Sequence, residues 1–469
     1  MPKSHKKILP LLIISGIFAF LITSGLGCKG ISADQQQLVK PLTLEYWTVA
    51  DDVDALKTNI EKYKLDGRSY LTVNVRQLRA SEFYQRLIEA LAEDKGPDII
   101  SISNRMVRGY LSKIAPMPAS VSDARLLTTK TALGGDETTV QVGTIPLVTP
   151  TQLEREYVKV VKEDAVIGDK VYGLPLSLDT LAVYYNKDLL DRAGVPEAPK
   201  NWDEFQAAVK KINKYDRVND KITQSGVAFG AGKNVAAVDD ILFVLFRQSG
   251  VPFSDNFGRL QFGSGRDRRA DANSASFSVL DFYTDFANPT RDTYGWNKNM
   301  GNAMDAFVSG KVGFMVGYSY DYPTIKARAP QLNIGVLPLF QLNPDQPVNV
   351  ANYYLQAVTA KSKHQNEAWG LIDYLAHSKA TKDYLDASGR PTALRAYIEE
   401  QRADLKVAPF VEQVLMAENW YRGSNYSVAA KAVGDMVDDW LTIPAGIAKE
   451  DEARQGVLNN AVAKVGQTL

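Results

Sequence analysis

The amino-acid sequence predicts an α/β protein, and three stretches near its start predict it. LTLEYWTV (42–49) is strand-like, SYLTVNVRQL (69–78) alternates as a second strand, and GPDIISIS (96–103) reads as a third. Two helical patterns separate them. DDVDALKTNIEKYK has the acidic start that suits a helix amino terminus. In the second, Ser81 stands where a cap is expected, and Phe83, Leu87, Ile88 and Leu91 form one apolar face. Strand, helix, strand, helix, strand within ~60 residues is the pattern of a parallel sheet covered by helices. Such sheets bind ligands beyond the carboxyl ends of their strands. That selects Trp47, Thr48 and Asp51 after the first strand, and Ser103, Asn104 and Arg105 after the third.

The chain has 469 residues, enough for two or three compact units with ample core. Its 45% apolar and 23% charged residues argue against disorder, collagen or a multi-span membrane protein. Lys+Arg and Asp+Glu balance at 54 each, so no net charge favours a nucleic-acid partner. A single Cys makes no internal disulfide, and His5, His364 and His377 form no HExxH, which argues against a zinc site. No cofactor, metal or catalytic motif is expected.

Lys3, Lys6 and Lys7 precede ILPLLIISGIFAFLIT (8–23), a charge-free stretch with the form of a secretory signal's apolar core. The only cysteine follows in SGLGCKG, after the small residue Gly27, and resembles the lipidation site of a bacterial lipoprotein. Diacylglycerol on Cys28, with an acyl chain on the new amino terminus, would supply the multi-chain anchoring that stable membrane residence needs. Two alternatives stay open. Residues 8–28 are uncharged and close to the ~20 residues of a bilayer span, so they can remain as a membrane helix, or the chain can be simply secreted. In every case residue 29 onward lies outside the cytoplasm. Residues 29–41, polar and without apolar periodicity, read as a tether. Loss of 1–28 removes three lysines and no acid, leaving a mildly acidic mature chain.

Residues 105–168 are less regular and read as an insertion in the first lobe, with one helix expected around Leu153–Val161. Further on, Gly194 ends a short helix. Asn201 with Glu204 forms a capping box for a helix whose buried stripe is Trp202, Phe205, Val209 and Ile212. The carboxyl third is mainly helical, and no repeat of 20–50 residues appears.

VYGLPLSLDTLAVYYNKDLLDRAGVPEAPKNWDEF (171–205) is the strongest block of a larger pattern, supported in order by GPDII (96–100), AFVSGKVGFMVGY (306–318), GVLPL (335–339), AVTAKSKHQNEAWGLIDYLA (357–376) and SGRPT (388–392). The ordered set resembles the family 1 extracytoplasmic solute-binding proteins of ABC importers, the maltose-binding-protein group, over about 42–465. Residues 105–168 and 260–300 depart most from it. The resemblance implies a two-lobe periplasmic-binding-protein fold of type II, with a ligand cleft between lobes joined by a three-segment hinge. By analogy the crossings fall near 179–184, 350–354 and 400–408. Lobe one is then 42–180 and 354–402, and lobe two is 181–352 and 403–469. Closure of such a hinge buries the solute and creates the surface a permease reads.

Sugar sites combine aromatic faces for C–H patches with short polar or charged side chains for hydroxyls. Trp47 suits the first role, against the alternative of a core Trp. Family analogy places Asp179 at a ligand-contacting carboxylate of the hinge motif, and Tyr318 and Tyr320 at the end of a strand that presents an aromatic to the cleft. It also places Trp420 and Tyr421 in a capping loop, and Asn104, Asn234, Asn352, Tyr353 and Arg390 at other cleft-facing positions. FGAGKN (229–234) is no P-loop, because Val227 and Asn234 stand where Gly and Ser/Thr are required. GRDRR (265–269) reads as a solvated loop, and His364 and His377 as surface residues. The expected function is a lipid-anchored receptor that delivers a solute, foremost a carbohydrate, to the transmembrane permease subunits of an ABC importer. A sensor or adhesion receptor on the same fold remains a rival, as does a glycosidase, which needs two carboxylates ~5–10 Å apart.

Overall fold

The computed structural model describes residues 31–130, 135–216, 218–219, 221–254, 260–263 and 274–469. The signal segment, Cys28 and GRDRR lie outside the described residues. Within the expected tether, Ala33–Leu38 forms one short helix, closed by a capping box between Ser32 and Gln35 and burying none of its residues.

The first lobe begins as its alternation requires. β1 (Leu42–Thr48) runs parallel to β2 (Leu71–Gln77), from Leu42 beside Leu71 to Thr48 beside Gln77, and parallel to β3 (Ile99–Ser103) on its other edge. Helix Val53–Leu65 follows β1 and is capped by Asp52, whose Oδ1 accepts from the Ala55 amide at 2.9 Å. The second helix, Ala80–Ala92, starts one residue before Ser81, after an extended Arg79. The Ser81 hydroxyl therefore lies inside the first turn and does not cap. Phe83, Leu87 and Leu91 are buried as one row, but Ile88 is 42% exposed. Five residues of helix turn Ile88 ~140° from Phe83.

β4 (Ile114–Ala115) is followed by the main departure from expectation. Residues read as irregular form β5 (Ser120–Lys130) and β6 (Asp136–Pro146), an eleven-residue antiparallel ribbon paired from Ser120–Pro146 to Lys130–Asp136. Its anchors are remote in sequence: Arg68 grips Asp123 through two bonds of 2.8 Å, and the Asn366 side chain bonds both the amide and the carbonyl of Ser122 at 2.8 Å. The helix expected at 153–161 is two helices, Pro150–Glu156 and Lys159–Ala165. Tyr157 breaks them by leaving the helix to bridge Leu394. A small ribbon, β7 (Val166–Ile167) and β8 (Lys170–Val171), leads to β9 (Leu174–Pro175).

The second lobe holds β10 (Ala182–Asn186), β11 (Lys214–Asp216), β12 (Lys221–Val227), β13 (Val312–Gly317) and β14 (Ile334–Pro338), in the order β11-β12-β13-β10-β14. Asn201 caps helix Trp202–Ile212 by accepting from the Glu204 amide at 2.8 Å. Glu204 reaches back to the Lys200 amide, one residue beyond the box expected. Gly194, at φ +68, ends helix Lys187–Arg192. The chain then returns through β15 (Asn349–Val350) to β16 (Tyr354–Thr359), which completes the first sheet as β2-β1-β3-β16-β4, with β9 also paired to β16. β17 (Ala417–Glu418) pairs with β15 in parallel.

Two separate apolar cores result. One gathers residues between Leu44 and Leu178 with others from Ala351 to Ala417; the second gathers residues from Leu181 to Val350 with Phe410 and Trp420 to Val465. Three segments pass between them. Asp179 and Asn352 exchange backbone bonds of 3.0 and 2.9 Å, Asn349 bonds both the amide and the carbonyl of Leu181, and the Ala351 amide donates to the Glu418 carbonyl at 2.8 Å. This is a two-lobe type II fold with its hinge at the lobe junction.

Candidate functional site: the interlobe cleft

At the end of β1 the chain turns so that Asp51 folds back under the strand. Thr48 Oγ1 donates to Asp51 Oδ2 at 2.5 Å, Ser101 Oγ donates to the same oxygen at 2.7 Å, and Gln356 Nε2 adds a bond of 3.3 Å to Oδ1. Thr48 is fully buried and acts by holding Asp51. Burial raises the Asp51 carboxyl, while its donors and nearby Arg390 oppose the shift. Arg390 donates to the Ala50 carbonyl at 2.8 Å and lies 5.6 Å from the Tyr320 ring. Trp47 is only 7% exposed; it contributes to the first core, with the Arg76 guanidinium 5.2 Å from its ring.

Asp179 sits where the first and second lobes exchange chain. Its Oδ2 accepts from the Ser319 amide at 2.9 Å and the Ser319 hydroxyl at 2.6 Å. Burial nevertheless pushes it up to about 7. β13 delivers the aromatic pair beside it: Tyr318 and Tyr320 stack with centroids 5.4 Å apart. Tyr320, 37% exposed, accepts a long bond of 3.4 Å from Asn352 Nδ2. Tyr318 is buried and donates to Asp240 at 2.6 Å.

Asp240 is the centre that ties the lobes together. Arg105, just after β3, places Nη2 2.8 Å from both Asp240 oxygens, and the two side chains are 4% and 2% exposed. Trp420 Nε1 donates to Asp240 Oδ1 at 2.9 Å. Arg105 also lies 4.6 Å from the Tyr426 ring and donates to its hydroxyl, which in turn donates to Asp239 at 2.6 Å. Burial, then the neighbouring Asp240 charge, pushes Asp239 up to about 6. Both acids occupy the first turn of helix Val238–Gln248, where the helix dipole favours negative charge, directly after Ala237 in the left-handed region at φ 52.

A second buried knot surrounds Asp164. It accepts from Asn104 Nδ2 at 3.0 Å and the Tyr353 hydroxyl at 2.9 Å on one oxygen, and from Asn419 Nδ2 and Arg422 Nε at 3.0 Å on the other. The lobes meet so closely here that a Cβ on Gly109 would lie 2.9 Å from Ser424 Cα.

The structure thus brings Asp51, Arg390, Asp179, Tyr320 and Asn352 to one junction, with Tyr318 and Trp420 behind it on Asp240, and Asn104 and Tyr353 on Asp164. Ser103 is half-buried at the first lobe's edge, its amide bonded to the Tyr84 hydroxyl at 3.3 Å. Three selected residues stand apart: Trp47 belongs to the first core, and the other two to the second lobe. Asn234 staples a loop of the second lobe, donating to the carbonyls of Asn297 and Met300 and accepting from Trp296. Tyr421 is fully buried and donates to the Thr468 carbonyl at 3.0 Å. Asp164, Asp239, Asp240, Tyr426 and Gln356 were not selected. One signal was available, since VDDILFVLF sets two acids at the head of an otherwise apolar helix.

Residues 59–408 match the bacterial extracellular solute-binding protein family. The chain belongs to that family. This solute-binding protein spans about half the length of the first curated relatives it matches: binding proteins of Brucella abortus and Brucella suis are 26% identical over 230 residues, 48% of this chain and 51% of theirs. The multiple sugar-binding protein of Streptococcus mutans is 24% identical over 241 residues, 51% of this chain and 55% of its own. Among solved structures, the cyclic α-maltosyl-1,6-maltose binding protein of Arthrobacter globiformis is similar with a TM-score of 0.67 at 17% identity, covering 90% of this chain and 99% of its own. An ABC transporter solute-binding protein of Thermotoga lettingae bound to α-D-tagatose gives 0.64 at 18% identity, covering 90% and 100%. The solute-binding protein shares the fold of these chains. Among its described residues no helix is long and apolar enough to cross a membrane.

Proposed function

We propose that the protein is the extracytoplasmic, membrane-anchored binding component of an ABC transporter, capturing a saccharide between its lobes and presenting it to the permease. The observation that carries this reading is the junction itself: the Asp51 and Asp179 carboxyls, the Arg390 guanidinium and the half-exposed Tyr320 ring converge between two lobes on a three-segment hinge. Acceptors, a cation and an aromatic face are the groups that read hydroxyls and C–H faces together. Lobe closure then acts by shifting a population rather than by transforming the ligand. Saccharide names among the relatives support the class, and Cys28 supplies the anchor by its likeness to lipidation sites.

Thermal-shift measurement against mono- and oligosaccharides tests it. A ligand at 100 times its dissociation constant stabilises by about 2.7 kcal/mol, and Tyr320→Ala or Asp51→Ala should abolish that shift without unfolding the chain. No shift with any saccharide overturns the sugar assignment and leaves the fold intact. In the same cells, Cys28→Ser should release the protein from membranes; retention would show that residues 8–28 anchor it instead.

A further inference from the structure

Away from the cleft, the first lobe carries a surface cavity of about 460 Å³, within the ~300–1,000 Å³ of small-molecule sites. It opens where helix Gln365–His377 gives way to helix Lys379–Ser388, between the end of helix Pro150–Glu156 and residues 394–397. None of the cleft residues lines it.

Folding brings Arg155, His377, Lys379 and Arg395 to its wall from three segments of the chain. One carboxylate stands among them. Glu156 accepts from Arg155 Nη2 at 2.5 Å and His377 Nε2 at 2.6 Å, and Asp373 lies behind the imidazole, 3.5 Å from Nδ1. Asp373 and then Glu156 raise His377 to about 9, so it is charged at neutral pH. Set against these two acids, the four basic side chains leave an excess of two positive charges. Among the described residues that excess has no counter-ion. Arg395 Nε donates to the carbonyl of the fully buried Tyr157 at 2.8 Å, which fixes the guanidinium and leaves its two terminal nitrogens without a partner. The exposed Lys379 ammonium has none either. Helix Lys379–Ser388 begins at the same rim, so its dipole adds positive potential there.

We propose that this cavity is a second binding site, separate from the interlobe cleft, for a phosphate monoester. Such a group carries about −1.5 to −2 charge at pH 7, which matches the excess on the wall. Its oxygens suit the free fork of Arg395 and the point charge of Lys379. A small soluble ester and a lipid headgroup offer the same chemistry.

Hydrogen exchange of the full chain in phosphatidylcholine vesicles tests the site, with glycerol 3-phosphate added to the solution in one arm and phosphatidic acid to the bilayer in the other. At nine times its dissociation constant, glycerol 3-phosphate should slow exchange about tenfold in 378–382 and 394–398. The same protection confined to the phosphatidic acid arm supports the site and names the lipid as its source. Protection should persist in the cleft variant Tyr320→Ala and disappear in Lys379→Glu, whose melting temperature should not change because that ammonium has no partner to lose. Absence of protection in both arms overturns the proposal. So does its survival in Lys379→Glu, and so does equal protection by glycerol, which carries no charge. Loss of protection in Tyr320→Ala also overturns it, because the effect would then be relayed from the cleft.

Discussion

Burial and pairing move individual groups in opposite directions. Asp179 is pushed up to about 7 from 3.8, because losing water around its charge outweighs the two bonds from Ser319. Across that window the unfolded chain is ionised and the folded one is not, so its contribution to stability falls as pH rises from ~4 to ~7. His377 shows the reverse. Expected at the surface, it is half-buried, with Nδ1 3.5 Å from Asp373 and Nε2 2.6 Å from Glu156. The Asp373 contact, and then Glu156 against the opposing effect of burial, raise it from 6.5 to about 9. Its contribution is complete below the unfolded value of 6.5 and is lost as pH rises through 9. His377→Gln should therefore lower stability at pH 6, by about 1 kcal/mol once solvent screening of this part-exposed pair is allowed for, and have little effect near pH 10. Melting curves that drop equally at both pH values would contradict the charge pairing. Only part of this is written locally, since Asp373 lies one helical turn before His377 whereas Glu156 lies 221 positions away.

Among the elements, β1 to β3 and their helices were legible because their periodicities agree with their burial. The β5–β6 ribbon was not. Its strands are rich in threonine and charge, and Val121, Asp123, Ala124 and Val140 are the buried members of a pattern with no clean alternation. What holds the ribbon is the buried Arg68–Asp123 pair, 55 positions apart. Leaving one partner of such a pair alone costs about 3–5 kcal/mol. Arg68→Ala should cost that much and speed amide exchange throughout 120–130 and 136–146, while helix Val238–Gln248 keeps its protection. A loss below about 1 kcal/mol with unchanged ribbon exchange would remove the pair as the anchor. Helix ends were misplaced for a related reason: Ser81 and Tyr157 are set by how the chain enters and leaves the helix, through Arg79 and the bridge to Leu394.

At the scale of the whole molecule, Arg105 and Asp240 bridge the lobes, with Arg422 and Asp164 as a second tie. In both pairs opposite charges supplied by opposite lobes meet buried at the junction. Asp240→Ala leaves Arg105, the Tyr318 hydroxyl and the Trp420 indole without their common acceptor. It should cost about 3–5 kcal/mol and enlarge the radius of gyration in solution scattering as the cleft opens. An unchanged radius with unchanged melting would show that closure does not depend on this pair.

By itself the sequence determined the α/β class and the ordered motifs of the solute-binding family, which are written locally in strand alternation, helix caps and runs of neighbouring residues. Asp51 was selected by its place after the first strand, and Asp179, Tyr320, Asn352 and Arg390 by the family resemblance. Only the tertiary structure decided that Asp240 rather than Trp420 is the hub of the interlobe contact, that Asn234 and Tyr421 serve the second lobe's interior, and that residues 120–146 form a ribbon. Those outcomes depend on charges and donors 47 to 258 positions apart. Their burial, and so their protonation and their partners, exists only once the lobes have folded against each other.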